Sequence, residues 1–162
     1  MVRDRRARVT QIIYIINLSI KSISMSAKDI FHDTVKSALQ KDGWTITNDP
    51  LYLRLGDDQL RVDLAAERLI AAEREREKIA VEVKSFLAPS AISEFHLALG
   101  QFLNYRAVLQ VQQPERRLYL AVTEEIYRSF FRRDLPQLSL QTYQIKLIVF
   151  EPVKEVILQW IN

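Results

Sequence analysis

The sequence contains no cysteine. That excludes a disulfide framework and any cysteine-based zinc site, and it suits a reducing cytoplasm. Glycine is almost as scarce, with three residues in a chain of 162. Loops that cradle phosphate need closely spaced glycines, and none of G-x-x-x-x-G-K, G-x-G-x-x-G or G-x-S-x-G occurs. No strong excess of one charge sign is present either. The net charge is +3, with arginines outnumbering lysines. Such a balance permits a nucleic-acid partner without pointing to one. No apolar run is long enough to span a membrane: the best, "VTQIIYIINLSI", is interrupted by Gln11, Asn17 and Ser19. Internal repeats, low-complexity tracts and interdomain linkers are lacking as well.

What remains is an ordinary globular composition, 48% apolar and 27% charged, in a chain long enough for one domain with a core of its own. Residues 1–24 differ from the rest, a basic "RDRRAR" followed by the interrupted apolar run. They read as a loosely attached extension, or as sequence upstream of a natural start at Met25. The alternative, a targeting segment, lacks a clean small-x-small cleavage site. The domain expected to carry function is therefore 25–162.

Within it, Ser26 to Gln40 reads as a helix opened by a Ser26/Asp29 capping box and closed at Gly43. "TITNDPLYLRL" reads as one extended segment, bent or placed at an edge by Pro50. "QLRVDLAAERLI" and "KIAVEVKSF" read as antiparallel partner strands, with "ERERE" at the tip between them. Ser90 to about Gln110 reads as a second helix whose apolar stripe is Ile92, Phe95, Leu99, Phe102, Leu103 and Ala107. "LYLAVT" is apolar enough for a strand buried on both faces. "EEIYRSFFRR" follows as a short helix with an apolar and a basic side, then "IKLIVFE" and "EVILQWI" as two closing strands. This order predicts a mixed sheet flanked by helices, an α/β layered architecture.

Side chains alternate across a strand, so Ile79, Val81 and Val83 share one face, and Ala80, Glu82 and Lys84 the other. An acid and an amine in that position form either a salt bridge or part of a metal site. If the two strands pair, Asp63 comes beside Glu82. Two carboxylates with waters suit a hard divalent cation, Mg²⁺ or Mn²⁺, and Lys84 would then assist a water or offset transition-state charge. On the second helix Gln101 and Tyr105 are four apart and share a face, either as phosphate contacts and a support for Lys84 or as the polar rim of an amphipathic helix. His32 borders the apolar stripe of the first helix and either looks toward the site or serves the core. His96 has no companion motif.

"VDLA", "VEVKSF" and "QFLNY" resemble the PD-(D/E)xK nuclease superfamily. The resemblance implies a restriction-endonuclease-like fold, with Asp63 and Glu82 as metal ligands and with Lys84 and Gln101 in the catalytic set. Tyr105 and His32 become substrate-contacting residues. Gln101 and Tyr105 match the Q-x-x-x-Y element of RecB-like members. "HDTVKSALQKDGW" is similar to the opening helix of Holliday-junction resolvases, but His32 stands where those enzymes have Glu, and Val62 where the motif name has proline. More closely, "AKDIFHDTVKSALQKDGWTITNDPL", "AVEVKSF" and "VILQWI" resemble the XisH family, cyanobacterial controlling factors for excision of the fdxN element. That implies a cytoplasmic protein acting on or with DNA, beside a small XisI partner and a site-specific recombinase, possible homodimer formation, and no membrane association. Metal-dependent phosphodiester hydrolysis is one expectation. A non-catalytic accessory protein, or a nuclease toxin silenced by its partner, are the alternatives.

Overall fold

The computed structural model describes residues 28–69 and 76–162. The segment 1–24, Ser26 and most of the "ERERE" tip lie outside the described residues. Among the described residues, eight strands form two sheets. The larger has the order β1-β4-β5-β6-β7-β8, and the smaller is a ribbon of β2 and β3. The strands are β1 (Thr45–Asn48), β2 (Leu51–Leu55), β3 (Asp58–Val62), β4 (Leu64–Leu69), β5 (Arg76–Val83), β6 (Arg116–Thr123), β7 (Lys146–Glu151) and β8 (Val156–Ile161). β5, β6 and β7 run parallel, and the pairs β1/β4, β4/β5 and β7/β8 are antiparallel. Helix α1 (His32–Lys41) precedes β1 and α2 (Ala91–Gln112) crosses from β5 to β6. Between β6 and β7 lie α3 (Glu124–Ile126), a π-helical turn at Tyr127–Phe131, and α4 (Asp134–Thr142). The expected mixed sheet flanked by helices is what the chain forms.

Four local expectations need correction. First, α1 begins at His32, capped at Phe31, rather than at Ser26. Asp29 does not cap from within a longer helix. One of its carboxylate oxygens accepts the Phe31 N–H at 2.9 Å and the other the Ser85 N–H at 2.8 Å. Second, "TITNDPLYLRL" is two strands in different sheets, parted at Asp49 and Pro50. Third, "QLRVDLAAERLI" also divides, with β3 in the ribbon, β4 in the large sheet, and Asp63 at the joint. Fourth, α4 was not foreseen. Its Pro136 lies in the first turn, where a missing N–H costs no intrahelical bond.

The alternation of β5 sorts two cores. On one face, Val35 and Leu39 of α1 pack on Leu64, Ile79, Val81, Val83, Ala121 and Ile148. On the other, Phe95, Ala98 and Phe102 of α2, together with Leu51, Leu53 and Val62 of the ribbon, cover Ala65, Ala80 and Leu120. Phe86, Phe95, Phe130 and Phe131 form an aromatic cluster there, edge-on except for the tilted Phe86–Phe130 pair, with centroids 5.4 to 5.8 Å apart.

The large sheet curls around α1. Trp44, at the entry to edge strand β1, meets Trp160 of the opposite edge strand β8 with ring centroids 5.6 Å apart, and Trp160 meets Tyr119 at 5.0 Å. Trp160→Ala should therefore uncouple the two edges and lower stability. The expected loss is about 2 kcal/mol, below the ~3–5 kcal/mol of a wholly buried aromatic, read from the urea midpoint. Among the described residues no helix is long and apolar enough to cross a membrane.

Candidate metal and nucleic-acid site

The site lies where the ribbon joins the large sheet, on the α2 side. Asp63 is held at the joint because its Oδ2 accepts the Val83 N–H at 2.9 Å. That bond ties the start of β4 to the end of β5. Its other oxygen, Oδ1, lies 3.6 Å from Arg61 Nη1. Glu82 is inside β5 and faces the same side. Its Oε1 meets Lys84 Nζ at 3.0 Å, whereas its buried Oε2 has no hydrogen-bond donor among the described residues. Lys84 sits just past β5, kept extended by its N–H to the Ala121 carbonyl at 3.0 Å.

Electrostatics follow from that packing. Burial, then the negative charge of Asp63, pushes the Glu82 carboxyl up to about 7, although the ion pair with Lys84 pulls the other way. Tyr105 of α2 feels the same two carboxylates. Burial first, then Glu82 and Asp63, raises its phenol to about 12, so it stays a proton donor at neutral pH. Two adjacent acids, one with a buried oxygen lacking a donor, leave the polyvalent negative centre that a divalent cation relieves. Among the described residues no three His, Cys, Asp or Glu side chains converge as a metal cage. Two carboxylates are oxygen donors of the kind that Mg²⁺ or Mn²⁺ would take, with waters completing the shell.

This geometry accompanies a clear kinship. The model of the XisH protein family matches residues 25–158. The chain belongs to the XisH family. A crystal structure of an XisH family protein from Nostoc punctiforme is 55% identical with a TM-score of 0.75, and the match covers 83% of this chain and 100% of that one. A crystal structure of an fdxN element excision controlling factor protein from Anabaena variabilis is 51% identical, with the same TM-score and coverage. No curated protein matches.

In this XisH-family chain Asp63 lies beside Glu82 and Lys84, the neighbourhood that strand alternation and pairing lead one to expect, and Tyr105 of α2 lies close enough to feel both carboxylates. Gln101 lies one turn before Tyr105 on α2 and is exposed, whereas Tyr105 is buried. The two therefore share a helical face but differ in depth.

His32 goes elsewhere. It is 1% exposed, and its Nε2 lies 2.6 Å from Asp49 Oδ1 while Lys36 donates to Asp49 Oδ2 at 2.8 Å. Burial alone would raise the Asp49 carboxyl, but the bonds from Lys36 and His32 outweigh it and hold it below its usual range. A depressed carboxyl contributes stability above its unfolded pKa of 3.8, and that contribution is lost as pH falls through the lower folded value. Asp49→Asn should cost about 1–2 kcal/mol at pH 7, and urea melts of the two proteins should converge in strong acid.

The residue that sequence reasoning missed is Arg61. It stands two positions before Asp63, a spacing that alone places both side chains on one face of an extended chain.

Proposed function

We propose that this XisH-family protein acts on DNA through a nuclease-like metal site and that it serves as a controlling factor in excision of an fdxN-type element. The observation that carries the reading is the pair of carboxylates, Asp63 and Glu82, beside the Lys84 amine on one sheet face, with Glu82 Oε2 buried and without a donor among the described residues. A restriction-endonuclease-like core would account for that arrangement, because the resemblance implies an Asp followed by an acid-x-Lys on the next strand. The relative named as an fdxN element excision controlling factor, 51% identical, supports the biological setting.

Asp63 and Glu82 would hold Mg²⁺ or Mn²⁺. Bound there, the ion supplies a polarised phosphoryl oxygen and a more acidic water. Lys84, already 3.0 Å from Glu82, keeps a positive charge where negative charge grows on the phosphate. Tyr105 remains protonated and can donate to a phosphate oxygen. Gln101, exposed one turn away, is placed to reach substrate or Lys84. The test is Mg²⁺-dependent cleavage of branched, single-stranded and duplex DNA, with Lys84→Ala as control. Absence of cutting on all three, together with absence of metal binding, would remove the catalytic version.

The commitment of His32 to Asp49, away from the carboxylate pair, favours a second reading. In it the acids are a remnant and the protein serves as a docking partner for an XisI-like protein or a recombinase. Co-purification with such a partner, unchanged by Asp63→Ala or Glu82→Ala, would select that reading.

A further inference from the structure

We infer that the outward face of the β2–β3 ribbon is an arm that holds a single DNA strand and leads it to Asp63 and Glu82. The inference rests on the reading of those acids as a DNA-directed site.

The register of the ribbon decides which side chains share a face. Leu51 pairs with Val62, Tyr52 with Arg61, Leu53 with Leu60, Arg54 with Gln59, and Leu55 with Asp58. Leu51, Leu53 and Val62 are buried in the α2-side core. The intervening pairs, Tyr52/Arg61 and Arg54/Gln59, therefore face outward. Tyr52 is 56% exposed, a large apolar ring offered to solvent on a narrow two-stranded element. Arg54 and Gln59 are exposed beside it.

That face carries two guanidinium groups and no carboxylate. The acids of the ribbon tip are Asp57, in the turn, and Asp58, on the inner-face register. The strip is also continuous with the metal site, since Arg61 lies directly across from Tyr52 and reaches to 3.6 Å from Asp63 Oδ1. Going inward, a ligand would pass Arg54, then the Tyr52/Arg61 pair, then the carboxylates. The arm itself is anchored, because Gln112 of α2 donates to the Arg54 carbonyl.

These features select the occupant. Guanidinium forks match phosphate oxygens. An exposed aromatic ring gains most from an unpaired base, which can lie flat on it, whereas bases within a duplex are already stacked. Arg54 and the Tyr52/Arg61 pair are two residues apart, about 7 Å along the strand, a step similar to that between successive phosphates of an extended single strand. An acidic protein segment would use the arginines but has no need of the ring, and so is the poorer fit.

The experiment is anisotropy titration of the full chain with labelled oligothymidylate and with a duplex control, in EDTA so that nothing is cut. Tyr52→Ala should weaken single-strand binding about tenfold, and Tyr52→Phe should bind as the parent does. Arg54→Gln should flatten the dependence of log K on log salt by about 0.7, the loss of one phosphate contact. Both positions are exposed, so the variants should melt as the parent does. The inference is overturned if Tyr52→Ala and Arg54→Gln leave affinity and salt slope unchanged, if Tyr52→Phe is as weak as Tyr52→Ala, or if the parent chain binds no DNA. Mg²⁺-dependent cleavage with unchanged ribbon variants would sink the arm and spare the metal site. Ribbon variants that lose affinity in a protein that never cuts or binds metal would do the reverse.

Discussion

Lys84→Ala is expected to lower Mg²⁺-dependent DNA cleavage by about 10²- to 10³-fold, the usual consequence of deleting one group that meets developing charge. The Lys84 amine lies 3.0 Å from Glu82 Oε1. It therefore lies at the carboxylate pair itself. Its removal has two effects that must be separated. A phosphate in the site loses its nearest cation, and Glu82 loses the neighbour that draws its carboxyl down. The second effect weakens metal binding, so rates should be compared at saturating Mg²⁺ and across pH. A deficit that disappears at high metal would assign Lys84 to holding Glu82 ionised. A deficit that persists would assign it to the transferring phosphate. Lys84→Arg keeps the charge but broadens it over a planar fork, and it should recover metal affinity more fully than rate.

Glu82→Gln should stabilise the metal-free protein by about 3 kcal/mol above pH 7. The sign follows from the direction of the shift. The carboxyl rises from 4.5 in the unfolded chain to about 7 in the folded one. The folded state therefore prefers the protonated acid. Below pH 4.5 both states are protonated and Glu82 costs nothing. As pH climbs through about 7 the native state must ionise a buried group facing Asp63, and stability falls. A neutral amide at this position carries no such charge, so the advantage of the variant over the parent grows between pH 4.5 and about 7 and then levels off. Thermal melts at about pH 5 and about pH 8 check this without any activity assay. Added Mg²⁺ should raise the melting temperature of the parent at the higher pH and leave Glu82→Gln nearly unmoved. A variant less stable than the parent there would contradict the placement of Glu82 Oε2 in a buried position without a donor.

The face shared by Glu82 and Lys84 was legible because β5 alternates strictly, and both of its faces are packed on apolar neighbours. Its pairing with the Asp63 segment was legible from the hairpin-like spacing. What the sequence concealed was the division of that segment. "QLRVDLAAERLI" has no glycine or proline at Asp63, and its apolar pattern runs on without a break. The break arises because β3 takes β2 as its partner while β4 takes β1 and β5, a choice made by long-range contacts. Tyr105, read as either a phosphate contact or part of a polar rim, is buried. Helix α2 is apolar nearly all round, with Leu97 and Val111 exposed, so its periodicity does not select one face. Ile92 and Ala107, expected in the stripe, are exposed, and Ala98, Val108 and Leu109 take the buried positions instead. His32, read at the border of the α1 stripe, is buried with it, and its partner, Asp49, is 17 residues away and leaves no local mark.

Asp63 stands at the seam between the two sheets, with one end of its side chain fixed. The Val83 N–H fastens its Oδ2 to the rigid floor of the molecule, while its backbone continues directly from Val62 into the ribbon. On the proposed reading, a strand held by the ribbon and an ion held by Asp63 would be joined through one short stretch of chain, in which Arg61 Nη1 lies 3.6 Å from Asp63 Oδ1.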